Sequence, residues 1–85
     1  MKFLTDYEIE SLKKTYNVDA QVKIRESFKP YTIHLELNYS CGYIRLSKQE
    51  KKDMLYINRV DFAENIKNGI KLLERLMEII KWTNN

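Results

Sequence analysis

The feature that most constrains the fold is a change of hydrophobic period between residues 20 and 60. In the stretch "YTIHLELNY", residues 31–39, apolar and polar side chains alternate without interruption. A period of two is typical of strands with one buried face and one solvated face. The flanking segments repeat instead at about 3.6 residues, which predicts helices. The sequence therefore predicts an α+β domain in which helices flank an antiparallel sheet.

Four strands are predicted, with turns at Lys29-Pro30, at Cys41-Gly42 and within "KQEKKD". These turns pair apolar residues with apolar residues: Ile24 with Leu35, Val22 with Leu37, Leu37 with Leu46, Tyr39 with Ile44, Leu46 with Leu55, and Ile44 with Ile57. An alternative stays open for residues 47–58, because Ser47 and Glu50 also match a capping box and could start a helix. In that case the sheet would have three strands. The β-branched and aromatic residues of "MLYINRV" favour the strand.

The two flanking helices have recognisable starting signals. Thr5 and Glu8 form a capping box that predicts a short helix from Asp6 to Asn17. Asp61 and Glu64 predict a second helix that runs to about Trp82. An apolar stripe follows the second helix: Phe62, Ile66, Ile70, Leu72, Leu73, Leu76, Met77, Ile79 and Ile80. The predicted order is α-β-β-β-β-α, with both helices covering one face of the sheet.

The size and composition limit the classes of function. At 85 residues, with 44% hydrophobic and 32% charged residues, the chain is expected to be one globular domain, 1–85, with little material for an enclosed cavity. No segment has the apolar length of a membrane span, and Asp6 and Glu8 interrupt the region where a signal peptide would be apolar. The expected location is cytoplasmic. The single cysteine, Cys41, agrees with a reducing compartment.

No catalytic, metal or cofactor site is predicted. His34 and Cys41 are about 20 Å apart along a strand at about 3.3 Å per residue, too far for a nucleophile and its base. A zinc site needs about four ligands, and the chain contains one histidine and one cysteine. Phosphate-binding and hydrolase motifs are absent from the sequence. The sequence therefore predicts a protein that is not an enzyme.

The predicted outer face of the sheet collects positive and aromatic side chains. These candidate partner-binding residues are Lys23, Arg25, His34, Tyr43, Arg45, Tyr56 and Asn58, together with Lys48, Lys51 and Lys52 in the following turn. Arginine and tyrosine are typical anchors of protein interfaces, and the same composition can form a stacking platform for bases. An ordinary solvent-exposed face of an antiparallel sheet is the third interpretation.

The order of elements resembles that of the double-stranded RNA-binding domain. That resemblance implies lysines at the start of the last helix that contact phosphates. Here the helix begins "DFAENIKNGIK", with Asp61 and Glu64 where the lysines should be. The resemblance covers architecture only, so no function is transferred from it.

Two functional hypotheses follow. The first is a small protein that binds stoichiometrically to a larger protein, such as a nuclease or nucleoprotein complex, either through this face of the sheet or through an exposed part of the long helix. Abundant Lys, Ile, Asn and Tyr, which have AT-rich codons, suggest a low-GC bacterium or its phages or plasmids, and hence an anti-CRISPR-like inhibitor. The alternative is direct nucleic-acid binding, with bases stacked on Tyr43 and Tyr56 and phosphates on Lys23, Arg25 and Arg45. Homodimerisation through the wide helix stripe is compatible with either hypothesis.

Overall fold

A computed structural model of the chain describes residues 4–49 and 52–83, with side chains described to residue 80. The elements are α1 (Asp6–Tyr16), β1 (Gln21–Ser27), β2 (Thr32–Asn38), β3 (Tyr43–Gln49), β4 (Lys52–Asn58) and α2 (Ala63–Thr83). This order confirms the predicted α+β arrangement. The segment left open in the sequence is a strand, so the sheet has four strands. No helix in the described ranges is both long enough and apolar enough to cross a membrane.

Helix α1 is capped at both ends by local contacts. The Thr5 hydroxyl accepts the Glu8 amide N–H at 3.2 Å, and the Glu8 carboxylate accepts the Thr5 amide N–H at 3.1 Å. At the other end Asn17 adopts a left-handed conformation with φ of 55°, and its backbone N–H donates to the carbonyls of Lys13 and Lys14 in the last turn. The predicted start and stop of this helix are confirmed, because both signals depend only on neighbouring residues.

The strands form an antiparallel meander in the order β1-β2-β3-β4. The predicted registers of the first and third hairpins are confirmed, with Ile24 opposite Leu35 and Leu46 opposite Leu55. The predicted register of the middle hairpin is wrong by two residues, since Ile44 lies opposite Leu37 and not opposite Tyr39. A shift of two leaves every side chain on its predicted face.

A longer turn explains this shift. The Tyr39 amide N–H donates to the Gly42 carbonyl at 2.8 Å, so the connection spans residues 39–42. A Cβ atom on Gly42 would lie 1.8 Å from the carbonyl oxygen of Asn58. The turn therefore packs against the end of β4, and only a glycine permits this close approach.

The core lies between the sheet and α2, which crosses β2 and β3 and also contacts α1. The fully buried side chains are Leu35, Leu37, Ile44, Leu72, Leu73, Leu76 and Ile80. Helix and sheet approach most closely at Gly69, where a Cβ atom would lie 2.6 Å from the Tyr39 hydroxyl and 2.8 Å from Ile44 Cδ1. The Tyr39 hydroxyl donates to the Asn65 carbonyl at 3.2 Å and so ties the second turn to the helix.

Several predicted core positions are exposed. Helix α2 begins at Ala63, so Asp61 lies two residues before the helix and not at the predicted capping position directly before it. Phe62 is 66% exposed and is not part of the buried stripe. Leu55 and Ile57 point to the helix side of β4 but are 46% and 43% exposed. The reason is geometric, because α2 packs over the two central strands.

The tip of the first hairpin is a second departure from the predicted core. Phe28 shared a predicted face with Val22 and Ile24, yet it lies in the turn and is 70% exposed. Its ring packs against Tyr31, with centroids 5.4 Å apart. The two aromatic residues therefore contact each other beyond the ends of the strands.

Candidate functional site

The outer face is the side of the sheet opposite the helices, and it carries two aligned rows of side chains. One row crosses the sheet as Lys23, Glu36, Arg45 and Tyr56, and the other as Arg25, His34, Ser47 and Met54. With Tyr43, these side chains line an open concavity of about 920 Å³. The strand registers therefore bring residues from all four strands into one shallow site.

Arg45 is held at the centre of the first row. Its Nε atom donates to the Glu36 carboxylate, which also accepts from Asn38 Nδ2 at 3.1 Å. The hydrogen bond from Arg45 is the main reason that the pKa of Glu36 lies below its usual value. The guanidinium carbon also lies 4.1 Å from the centroid of the Tyr43 ring. The conformation of Arg45 is thus restricted before any partner binds.

His34 bridges two serines in the second row. Its Nε2 lies 3.0 Å from Ser27 Oγ and its Nδ1 lies 2.9 Å from Ser47 Oγ. Partial burial, and secondarily the charge of Arg25, lower the pKa of His34, which favours the neutral ring. A neutral imidazole donates from one nitrogen and accepts at the other, so both serines are satisfied.

This bridge does not have the arrangement of a hydrolase site. Ser47 is buried, and among the described residues no carboxylate is hydrogen-bonded to the imidazole to orient it as a base. The bridge holds three adjacent strands together beneath the concavity. The bridge is not predictable from the sequence, because the predicted register places Gln49, and not Ser47, opposite His34.

The two halves of the outer face differ chemically. Lys23 and Arg25 on β1 are exposed, and neither forms a salt bridge with a described residue. On β4, Tyr56 is 52% exposed and its hydroxyl lies 3.5 Å from the Met54 sulfur. One half therefore offers positive charge and the other an aromatic and thioether surface.

Most of the predicted partner-binding residues lie together. The structure places Lys23, Arg25, His34, Tyr43, Arg45 and Tyr56 in the lining of the concavity. Asn58 lies at the end of β4, opposite Tyr43. Ser47 and Met54 also line the concavity and were not among the predicted residues.

Two of the three lysines predicted in the turn after β3 lie in strands. Lys48 lies in β3 on the helix side of the sheet, next to Ile33, and its Nζ is 3.8 Å from Asp53. Lys52 lies in β4, opposite Gln49. The predicted position of Lys48 and Lys52 in a turn is wrong, because β3 continues to Gln49 and β4 begins at Lys52. Lys51 lies outside the described residues.

A second concavity, of about 630 Å³, lies between α1 and β1 and is lined mainly by polar side chains. Lys13 pairs there with Glu10 at 3.2 Å. Nowhere in the described ranges do three or more His, Cys, Asp or Glu side chains form a group able to hold a metal ion.

Comparison with protein-family models, with curated proteins and with solved structures finds no significant match to this chain.

Proposed function

We propose that this protein is a non-enzymatic binding protein that docks stoichiometrically on a larger cytoplasmic protein through the outer face. The observation that supports the proposal is the concave face itself, where Arg45 is held in place by Glu36 and Tyr43. A side chain that is already ordered loses little conformational entropy on binding. Arginine and tyrosine at the centre of a concave patch are typical of interface anchors.

The two halves of the face indicate the chemistry of the partner. Lys23 and Arg25 would pair with acidic side chains, while Met54 and Tyr56 would contact an apolar patch. We further propose that the partner is a nuclease or another nucleic-acid-handling protein of the host, and that the chain acts as an anti-CRISPR-like inhibitor encoded by a phage or plasmid. The small size and the net charge of +3 support binding to an acidic protein surface over mimicry of DNA.

Direct nucleic-acid binding is the second candidate. Lys23 and Arg25, which form no salt bridge with a described residue, favour it, since phosphates are recognised by unpaired cations. Two contacts weigh against it. Arg45 is paired with Glu36, and one face of the Tyr43 ring is occupied by the Arg45 guanidinium. Stacking on bases requires an accessible ring face.

The docking proposal is tested by affinity capture with matched baits. We expect the wild-type protein to retain one host protein at a one-to-one ratio. Arg25→Glu or Tyr56→Ala should weaken its binding by at least about thirtyfold, or about 2 kcal/mol. The control is Lys71→Glu, which changes an exposed charge on α2 and should bind normally. Equal capture by all variants would contradict docking through the outer face.

The inhibitor proposal needs a functional readout of the captured protein. The purified partner is assayed for nucleic-acid cleavage or binding while the protein is titrated in. Inhibition should saturate near one equivalent, and Tyr56→Ala should require a large excess. A captured protein whose activity is unchanged at saturation would leave docking intact and remove inhibition.

The nucleic-acid candidate is tested by titrating labelled single- and double-stranded DNA and RNA at low and moderate salt. Binding that falls steeply with salt, and falls again in Arg25→Ala, would favour this candidate. An absence of binding at low salt would exclude it and leave the face to a protein partner.

A further inference from the structure

The free edge of β4 carries charges only at its start, Lys52 and Asp53, and its middle lacks the usual protection of an edge strand. Edge strands commonly carry charges or are covered by other elements, which prevents pairing with another chain. Residues 54–58, "MLYIN", carry no charge, and no described element pairs with this edge. On the helix side, Leu55 and Ile57 are 46% and 43% exposed, and Phe62 beyond the strand is 66% exposed. An apolar patch therefore adjoins a row of unpaired backbone groups.

We propose that β4 pairs with β4 of a second copy of this chain, antiparallel about a two-fold axis at Tyr56. The two four-stranded sheets would then form one continuous sheet with both helix layers on the same side. The inference does not depend on the identity of the docking partner proposed above, but the two surfaces share Met54 and Tyr56, which line the concavity and belong to the edge strand.

Self-complementarity specifies both the occupant and the register. Directly opposite residues of antiparallel strands place their side chains on the same face of the sheet. The two-fold axis must therefore lie where a residue is directly opposite the same residue of the second copy. With the axis at Tyr56, Leu55 faces Ile57 of the second copy, and Met54 faces Asn58. Apolar residues meet apolar residues on the helix side, and no charged residue lies within the paired segment, residues 54–58.

Neighbouring axes give poorer combinations. An axis at Leu55 places Asp53 opposite Ile57, which pairs a charge with an apolar side chain. An axis at Ile57 leaves Leu55 without an opposite strand residue, because the strand ends at Asn58 and Arg59 has a left-handed φ of 56°. A two-fold axis at Tyr56 also brings the two outer concavities together, because the row from Lys23 to Tyr56 continues into its copy.

Sedimentation equilibrium over a wide protein concentration range tests the dimer. The weight-average mass should rise from 10.3 kDa towards twice that value. Ile57→Lys should lower the association constant at least about tenfold, because it places two lysines in the apolar centre. Phe28→Lys is the matched control, since it replaces an exposed aromatic residue at the opposite end of the sheet and should leave association unchanged. Circular dichroism verifies that both variants are folded.

A cross-linking experiment tests the register. In a Cys41→Ser background, mild oxidation should cross-link Tyr56→Cys faster than Leu55→Cys or Ile57→Cys. A constant mass of 10.3 kDa at all concentrations would overturn the dimer. Association that is insensitive to Ile57→Lys would overturn its location at β4.

Discussion

The two edge strands share one binary pattern but have different environments. β1 carries Lys23, Arg25 and Glu26 near its middle, and its apolar residues Val22 and Ile24 pack against the core. β4 has an uncharged middle, and its equivalent residues Leu55 and Ile57 are nearly half exposed. Alternation therefore specifies which face a side chain occupies, whereas burial depends on which strands the helices cross.

The largest expected effect contrasts two leucines in one cross-strand row. Leu35 and Leu55 flank Leu46 in that row, yet Leu35 is fully buried and Leu55 is 46% exposed. Leu35→Ala should lower the free energy of unfolding by about 2–5 kcal/mol, because it leaves a cavity under α2. Leu55→Ala should cost less than about 1 kcal/mol. Urea unfolding at a low protein concentration measures both, and equal losses would show that β4 is covered.

The next effect concerns the position of α2 over the central strands. Gly69→Ala would improve helix propensity by about 1 kcal/mol at an open site. Here the added methyl group meets the Tyr39 hydroxyl and the Ile44 side chain. We therefore expect a net destabilisation of about 1–3 kcal/mol. Lys71→Ala, on the exposed side of the same helix, should change stability by less than about 0.5 kcal/mol. A stabilised Gly69→Ala variant would mean that the helix stands further from the sheet.

The smallest expected effect is a pH dependence that arises at His34. Burial and Arg25 place its pKa in the folded state below the ordinary value of 6.5, so the unfolded chain binds the proton more tightly. The His34 contribution to stability is therefore present above pH 6.5 and decreases as the pH falls below 6.5. His34→Gln should reduce this decrease.

A proton NMR titration measures the pKa directly, because the chain contains a single histidine. Arg25→Gln should raise the pKa by only part of the difference from 6.5, since burial is the larger cause. A pKa at or above 6.5 in the wild-type protein would contradict the described environment of His34.

Much of the candidate site could be predicted from alternation alone. Lys23, Arg45 and Tyr56 were assigned to the outer face by their position in the pattern, and an error of two residues in register did not move them. The same error in register prevents prediction of the contact between His34 and Ser47. A hydrogen bond depends on which residue lies directly opposite, and not only on the face of the sheet. Lys48 lies in β3 and not in the predicted turn, because charged residues occur at the ends of strands as well as in turns.

The sequence alone determined the features that depend on neighbouring residues, namely the caps of α1, the alternation of faces and the order of elements. Only the tertiary structure decided the length of the middle turn, which depends on the contact of Gly42 with the end of β4. It also decided which strands are buried, through the close approach of α2 at Gly69. The physical reason is range: caps and pleats are set within a few residues, whereas coverage depends on close packing between segments distant in the chain.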